Sequence, residues 1–497
     1  MNLATIIDPH PDDAVAIVSR GRPTTYGTLR EEVAHLRGGL VGLGLVPGDR
    51  VAIVAANNWY FVASYLAVLG AGCVAVPLNP TSPTPELERQ MAAVGVRAVV
   101  AGPTGRAAME GLDRAALPAL EAVVCAEAAS LPGATTIDDL LGAEPVPVVD
   151  RAPGDLAVLV FTSGTAGSPK AAMLTHGNLL ANLEQCQALP GRAQRPDDVV
   201  LGVLPFFHIF GLNVVLGLTL MTGASVVLVE RFDPQTALET IANHAVTVIS
   251  GAPTMWGAWA QLPGTRPTAF ATVRLAASGA AKLDPQVQRT MAERFGVDLI
   301  EGYGLTEACP VVTTGSGADA PEGSVGVPVP GVRVRLVEPD GNDALVGDPG
   351  EIWVSGPNVF AGYWEDPEAT SQAVDPEGWL HTGDIAVVDD DGHLFLVDRV
   401  KDLIIVSGFN VYPAEVEEVI AEHPAVAKVA VIGVPHPHSG EAVKAFVVVR
   451  PGASVEEDEL IAHCEARLAR YKCPQKVLFV DEIPESATGK VRRSVLR

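Results

Sequence analysis

The sequence predicts a multi-domain α/β fold, and three observations support this prediction. Apolar strand candidates alternate with helix candidates in the first half of the chain, an order typical of parallel sheets. After Ser324 the pattern changes to short strands separated by Gly, Pro and Asp turns. A chain of 497 residues also exceeds what one hydrophobic core supports. We therefore predict a large N-terminal domain of α/β layers with a β-rich subdomain, residues 1–400, and a small α+β C-terminal domain, residues 401–497.

The elements follow from local apolar patterns. Short apolar runs at 50–56 and 74–79 predict strands on either side of a helix at 59–72. The same rhythm returns with strands at 225–229 and 245–250 and a helix at 234–244. The uncharged stretch 199–229 is interrupted by Pro205, His208 and four glycines. It is therefore too broken for a transmembrane helix, and we interpret it as a core hairpin or a tunnel wall.

Composition and charge limit the classes of partner. The net charge of -25 predicts repulsion from nucleic acid and anionic lipid, so we expect no nucleic-acid partner and a locally built site for any phosphate ligand. The six cysteines form no C-x-x-C pair, and the N-terminus lacks a basic region followed by an apolar one. These features indicate a cytoplasmic protein with reduced thiols. Peripheral membrane contact, to reach a lipid substrate, and a homodimer both stay open.

The stretch FTSGTAGSPK, residues 161–170, has the composition of a phosphate-binding loop. It follows an apolar run that predicts a buried strand, so it leaves a strand end, where α/β folds bind ligands. It is not a Walker A loop, because the order G-x-x-x-x-G-K-[ST] is absent. Two glycines let the backbone approach an anion, and the side chains able to donate to it are Thr162, Ser163, Thr165, Ser168 and Lys170.

Four further stretches carry residues suited to nucleotide chemistry. LPFFHIFG, 204–211, places His208 among aromatic residues, and EGYGLTEA, 301–308, supplies a flat ring, a hydroxyl and a carboxylate suited to a hard cation. GWLHTGD, 378–384, ends in a carboxylate that can accept from two vicinal hydroxyls. PESATGKVRR, 484–493, puts Lys490 on a Gly-containing turn.

The five stretches in this order, with DRVKDLIIVSGFNVYPAEVE at 398–417, resemble the adenylate-forming superfamily of acyl-CoA synthetases, luciferases and nonribosomal adenylation domains. The resemblance covers nearly the whole chain, and its wording is most similar to long-chain fatty acid–CoA ligases. It implies that the large domain binds ATP, Mg²⁺ and a carboxylic acid. It also implies that the small domain is mobile and rotates about a hinge between acyl-AMP formation and transfer to CoA.

The resemblance also implies roles for individual residues. The β- and γ-phosphates are assigned to Thr162, Ser163, Gly164, Thr165 and Lys170. The adenine is assigned to Gly279, Ala280, Ala281 and Tyr303. Thr306 is placed at the α-phosphate, Glu307 and Thr165 at Mg²⁺, and Lys490 between the substrate carboxylate and the α-phosphate. With His208 near the acyl carboxylate, the implied catalytic residues are Lys490, Glu307, Thr306 and His208.

Further implied roles concern the ribose, the hinge, CoA and the acyl chain. Asp384 and Arg399 are assigned to the ribose, Lys401 to the hinge and Gly408 to the pantetheine channel. The implied acyl pocket comprises His208, Leu212, Asn213, Trp256 and Cys309. Two positions depart from the family pattern: Leu212 stands where some long-chain ligases carry a gating Trp, and Ala-Ala-Lys replaces the commoner Gly-Ala-Pro in the adenine loop.

The resulting hypothesis is an AMP-forming fatty acid–CoA ligase using ATP, Mg²⁺ and CoA. An aryl or 4-coumarate-type CoA ligase, and a fatty acyl-AMP ligase that passes its product to a carrier protein, remain alternatives. A hydrolase is disfavoured because no G-x-S-x-G occurs. The basic residues of the tail, among them Arg467, Lys472 and Lys476, fit either a patch for a polyanion or a solvated basic face.

Overall fold

The computed structural model describes residues 1–126, 133–162, 170–189, 191, 193–316, 320–399, 402–406, 409–436, 440–468, 470–486 and 489–496. The side chains of 398, 399, 409, 410, 440 and 494 are outside this description. The chain divides into two compact units. The first comprises residues 1–319, 328–333 and 354–380, and the second comprises 320–327, 334–353 and 381–497. The β-rich segment thus falls largely in the second unit, and the predicted boundary at Lys401, outside the described residues, stays a prediction.

The helices occupy both units. The α-helices are α1 Tyr26–Gly42, α2 Trp59–Gly70, α3 Thr84–Ala93, α4 Arg106–Glu110, α5 Ile137–Leu141, α6 His176–Gln187, α7 Leu218–Thr222, α8 Pro234–His244, α9 Pro253–Gln261, α10 Pro285–Phe295, α11 Pro367–Ala373, α12 Pro413–Ala421, α13 Glu457–Glu465 and α14 Arg493–Leu496. Short 3-10 helices span Leu3–Ile7, Pro103–Gly105, Arg114–Ala116, Pro267–Phe270, Thr306–Ala308 and Arg470–Lys472, and a π-helix spans Phe210–Gly217.

The strands are β1 Val15–Ser19, β2 Arg22–Thr25, β3 Arg50–Val54, β4 Val74–Leu78, β5 Ala98–Ala101, β6 Ala122–Cys125, β7 Thr135–Thr136, β8 Leu156–Thr162, β9 Lys170–Thr175, β10 Val199–Gly202, β11 Ser225–Leu228, β12 Val248–Gly251, β13 Leu275–Ser278, β14 Leu299–Gly304, β15 Val311–Thr314, β16 Val327–Pro328, β17 Arg333–Val337, β18 Gly350–Ser355, β19 Leu380–Val388, β20 Leu394–Arg399, β21 Ile404–Val406, β22 Phe409–Val411, β23 Val426–His436, β24 Gly440–Val449 and β25 Lys476–Phe479.

Two large sheets order the first unit. One runs β16-β15-β14-β13-β12-β10-β11-β1-β2 and the other β7-β6-β5-β3-β4-β8-β9. Their central strands are parallel, as the strand and helix alternation predicted, and the predicted strand at 50–56 and helix at 59–72 are confirmed as β3 and α2. The second sheet packs a buried core that includes Val54, Val76 and Leu159.

Helix α8 shows how local sequence fixes an element of this fold. Asp233 caps its N-terminus by accepting from the Thr236 N–H at 2.8 Å, and Pro234 occupies the first turn, where it needs no amide proton. The helix ends at Ala245, whose φ of 50° is left-handed. The predicted helix 234–244 is therefore confirmed at both ends.

The uncharged stretch 199–229 corrects one interpretation. It forms β10, the π-helix, α7 and β11, and the two strands pair in parallel, so the predicted hairpin was wrong. A short apolar run is compatible with either a buried strand or a buried helix, and periodicity alone does not separate them. Within the described residues, no helix combines the length and apolar character needed to cross a bilayer.

The second unit holds a β-rich sheet and the C-terminal α+β part. The sheets run β17-β18-β19-β20 and β22-β21-β24-β23, with β25 alongside β24. The predicted α+β character of the tail is confirmed by the helices α12 and α13 and the strands β23 and β24. Their apolar faces close a core around Val431, Val447 and Leu460.

Candidate functional site

Several of the predicted nucleotide and acyl residues of the first unit follow strands at one edge of its nine-stranded sheet. β10, β12, β13 and β14 are parallel neighbours, so their carboxyl ends share an edge, where open α/β sheets bind ligands. The segments that leave these ends carry, in strand order, His208, Trp256, Gly279 to Ala281, and Thr306 with Glu307. The topology therefore brings together residues that are up to about a hundred positions apart.

The predicted phosphate loop joins two antiparallel strands. β8 ends at Thr162 and β9 begins at Lys170, and the two residues pair across the ladder. The Thr162 Oγ1 lies 3.4 Å from the Lys170 carbonyl oxygen, to which it donates. Ser163, Gly164 and Thr165 lie outside the described residues, so their phosphate and Mg²⁺ roles stay predictions.

Glu307 sits on the short 3-10 helix that follows β14. The turn before it is tight: the Leu305 N–H donates to the Pro310 carbonyl at 3.0 Å. A Cβ at Gly304 would lie 2.1 Å from that same carbonyl oxygen, so only glycine fits there. The second glycine of EGYG thus lets the chain turn sharply enough to present the Glu307 carboxylate, which is half-buried.

Tyr363 contacts two of the predicted residues and was missed by sequence reasoning. Its hydroxyl donates to Glu307 Oε1 at 2.7 Å, and the Lys170 Nζ lies 5.1 Å from the centre of its ring. Burial, reinforced by the Glu307 charge, raises the pKa of the Tyr363 phenol, so the hydroxyl keeps its proton. The stretch AGYWEDPEAT contains no motif that marks this tyrosine.

Residues 357–364, here called the crossing segment, connect the Glu307 turn to β9. The Phe360 N–H donates to the Glu307 carbonyl at 2.9 Å, and the Met173 N–H donates to the Gly362 carbonyl at 2.9 Å. The Asn178 amide on α6 donates to two carbonyls of the segment, each at 2.8 Å. These bonds hold the Tyr363 backbone between the strand that begins at Lys170 and the turn that carries Glu307.

The adenine-loop residues follow β13 and lie against the His208 segment. A Cβ at Gly279 would lie 3.2 Å from the Phe210 ring, two residues after His208. Ala280 has a φ of 72°, in the left-handed region that favours glycine. Tyr303, on the neighbouring strand β14, is buried. The predicted adenine residues are therefore adjacent, while their contact with adenine stays a proposal.

The predicted acyl-pocket residues other than His208 are fully buried. They are Leu212, Asn213, Trp256 and Cys309. The Asn213 amide donates to the Cys309 carbonyl at 2.7 Å and to the Leu179 carbonyl at 3.3 Å, so its polar group is engaged by the backbone. Burial raises the pKa of the Cys309 thiol.

His208 is held in one orientation by its own turn. The Phe210 N–H donates to His208 Nδ1 at 3.2 Å. Because Nδ1 accepts a hydrogen bond, the neutral ring carries its proton on Nε2.

In the second unit, Asp384 lies on β19 and pairs with Arg399 across the ladder. Asp384 is buried, and its N–H donates to Thr382 Oγ1 at 3.1 Å. The Arg399 side chain, Lys401 and Gly408 are outside the described part of the chain. Their ribose, hinge and pantetheine roles stay predictions.

Lys490 is exposed, and two hydrogen bonds join it to Ser486. The Ser486 N–H donates to the Lys490 carbonyl at 2.8 Å, and the Lys490 N–H donates to Ser486 Oγ at 3.1 Å. Three residues later, Arg493 makes two 2.8 Å bonds to the Glu417 carboxylate and contacts Asp402 at 3.4 Å. Other basic side chains of the C-terminal part are paired with carboxylates: Arg467 with Glu422, Lys472 with Glu415 and Lys476 with Glu457. This pairing favours the solvated basic face over the polyanion patch.

Known proteins match this sequence along nearly its whole length. Residues 4–364 match the family model described as AMP-binding enzyme, and 415–490 match its C-terminal domain. The chain is 38% identical over 493 residues to a feruloyl-CoA synthase from Amycolatopsis sp, covering 99% of this chain and 96% of that protein. It is 37% identical over 522 residues to a long-chain-fatty-acid–CoA ligase from Escherichia coli O6:H1, covering 98% and 91%.

Solved structures give the same fold. ATP-bound MatB from Rhodopseudomonas palustris superposes with a TM-score of 0.90 at 34% identity, covering 100% of this chain and 98% of that one. The amide bond synthetase McbA from Marinactinospora thermotolerans gives a TM-score of 0.88 at 32% identity, covering 100% of this chain and 99% of that one. With the family model spanning most of the chain, this protein belongs to the AMP-binding enzyme family of the adenylate-forming superfamily and is an AMP-forming acid–thiol ligase.

Proposed function

We propose that this protein is an ATP-dependent acyl-CoA synthetase acting on a medium- or long-chain fatty acid. In the first step a substrate carboxylate oxygen bonds to the α-phosphorus of ATP, and pyrophosphate leaves. In the second step the CoA sulfur, having lost its proton, bonds to the acyl carbon, and AMP leaves. The observation that carries the proposal is the contact of two predicted residues from different sheets with one side chain: the Lys170 ammonium lies over the Tyr363 ring, and Glu307 accepts from its hydroxyl.

The first step brings one anion to another, so catalysis requires cations and donors that offset the developing charge. Lys170 would contact the terminal phosphates, Thr306 the α-phosphate, and Lys490 both reacting groups. His208, with its proton on Nε2, would donate to the acyl carboxylate. No side chain needs to act as a nucleophile.

Mg²⁺ fits the donor set at this edge. Glu307 offers a half-buried carboxylate, and no cluster of three or more His, Cys, Asp or Glu that could hold a metal occurs in the described ranges. A single carboxylate suffices because Mg²⁺ in such sites takes its other ligands from substrate phosphates and water. Glu307 and Thr165 would hold the ion, which would supply positive charge to the phosphates.

The residues of the predicted acyl pocket favour an apolar acid. The buried residues Leu212, Trp256 and Cys309 are uncharged, which suits an apolar acyl group and offers no partner for a second carboxylate. An aryl acid is the second candidate, because a feruloyl-CoA synthase is 38% identical over nearly the whole chain. Transfer to a carrier-protein thiol in place of CoA is a further alternative.

The test is acid-dependent pyrophosphate release with ATP and Mg²⁺, with and without CoA, across short, medium and long fatty acids and ferulic acid. We expect release that depends on a fatty acid, with acyl-CoA formed only when CoA is present. Preference for ferulic acid would show that the substrate is an aryl acid and not a fatty acid. Release without any thioester would point to an acyl-AMP ligase, and no release with any acid would overturn the proposal.

A further inference from the structure

We infer that Tyr363 is a positioning residue for the proposed nucleotide site. It keeps the Glu307 carboxylate apart from the Lys170 ammonium, so that the carboxylate faces Mg²⁺ and the ammonium faces the phosphates of ATP. The inference rests on the proposed function, because it assigns a role within the same site. It adds a residue from the crossing segment, which lies more than fifty positions from Glu307 and almost two hundred from Lys170.

The geometry gives Tyr363 two separate contacts. Its hydroxyl donates to Glu307 Oε1 at 2.7 Å, which fixes the carboxylate and leaves Oε2 for other partners. Its ring face receives the Lys170 ammonium at 5.1 Å, within cation–π range. One side chain therefore holds an anion at its polar end and a cation at its face.

The two charges do not neutralise each other. Among the residues that the structure describes, no ion pair joins Lys170 to Glu307, although both contact the same tyrosine. A lysine that pairs with the carboxylate would offer less charge to phosphate, and the carboxylate would offer less to a cation. With the aromatic ring as a spacer, each group keeps its charge for the nucleotide complex.

The Tyr363 backbone is fixed from both sides, so the side chain is positioned in advance. The bonds from Phe360 to the Glu307 carbonyl and from Met173 to the Gly362 carbonyl tie the segment to both charged residues. The Tyr363 N–H donates to Thr370 Oγ1 at 2.9 Å, and the Phe360 ring packs edge-on at 4.9 Å. A partner that orients a metal-binding carboxylate in this way typically affects metal affinity 10- to 100-fold when removed.

Two substitutions separate the two contacts. Tyr363→Phe removes the hydroxyl and keeps the ring, whereas Tyr363→Leu removes both. Trp364→Phe is the matched control: it alters the next ring of the same segment, whose buried Nε1 has no hydrogen-bond partner. Binding of ATP is measured by calorimetry without an acid substrate, in excess Mg²⁺ and again in EDTA, so the readout does not depend on turnover.

We expect Tyr363→Phe to weaken ATP binding about tenfold or more in Mg²⁺ and to leave it unchanged in EDTA. Tyr363→Leu is expected to weaken binding under both conditions, because Lys170 then loses its spacer, and Trp364→Phe to match the wild type. Unchanged binding by Tyr363→Phe, or an equal loss in Mg²⁺ and EDTA, would overturn the inference. If the Leu variant does not fold, the Phe variant decides alone. A wild type that binds no ATP would instead defeat the proposed function.

Discussion

The two lysines predicted to contact the phosphates of ATP stand in opposite settings. Lys170 begins a strand of a large sheet, is partly buried and lies over the Tyr363 ring. Lys490 follows a turn of the C-terminal part, is exposed, and has its backbone held by Ser486. The first lysine is placed by packing before any ligand arrives, whereas the second is presented on the surface of its own unit.

We propose that this difference reflects a division of labour between the two predicted roles. A preorganised cation suits a group that binds the nucleotide throughout the reaction, because it needs no rearrangement. An exposed cation on a compact turn suits a group required in one step and withdrawn in the next. Arg493, bonded to Glu417 and Asp402, anchors the chain just after Lys490 to the body of its unit.

The largest expected effect is that of Lys490→Ala. Removing this charge should lower acyl-AMP formation about 10³-fold, as expected for loss of a group that stabilises transition-state charge. Thioester formation from supplied acyl-AMP should stay largely intact. The measurements are pyrophosphate exchange and single-turnover transfer to CoA. Lys476→Ala, which breaks only the exposed pair with Glu457, is the control. Equal loss of both half-reactions would contradict the division of labour.

Lys401→Pro should affect the opposite step. Proline fixes φ and removes an amide proton, so a hinge at this position would lose its rotation. We expect adenylation to be spared and transfer to CoA to fall roughly 10²-fold, the cost of a misplaced reacting group. Lys401→Ala separates loss of the charge from loss of backbone freedom, since it removes the charge and keeps the backbone free. Normal turnover of the proline variant would move the hinge away from Lys401.

Lys170→Met should have a smaller effect, which we expect on the binding of ATP. The substitution keeps the apolar stem over the Tyr363 ring and removes the charge. We expect KM for ATP to rise about tenfold, equivalent to loss of one charge-assisted hydrogen bond, while transfer from supplied acyl-AMP is unchanged. Steady-state kinetics of both half-reactions provide the measurement. A change in kcat for transfer would show that Lys170 is not confined to the nucleotide.

The sequence predicted the fold class, the parallel strands and the positions of α2 and α8, because these depend on local apolar patterns and caps. Glycine beside charged and hydroxyl side chains also singled out the stretches of Glu307 and Lys170, whose phosphate and Mg²⁺ roles stay predictions. The sequence did not predict Tyr363, because the tyrosine meets these residues only through strand pairing of the crossing segment with β9. The hairpin interpretation of 199–229 was wrong, since the two strands pair in parallel and an uncharged run carries no period that separates strand from helix.

The smallest effect is expected at Ala280, where the adenine loop departs from glycine. A non-glycine residue in the left-handed region costs about 1–2 kcal/mol, and its φ is 72°. Ala280→Gly relieves this strain but adds freedom to the unfolded chain, so the free energy of unfolding should rise by about 0.5–1 kcal/mol. Ala281→Gly is the matched control, because Ala281 has no positive φ. The free energy of unfolding of this variant should fall by a similar amount. Chemical denaturation measures both. If both substitutions change the free energy of unfolding in the same direction, the loop is not strained at Ala280. If KM for ATP also stays constant in Ala280→Gly, the backbone shape, rather than the methyl group, is what the adenine would contact.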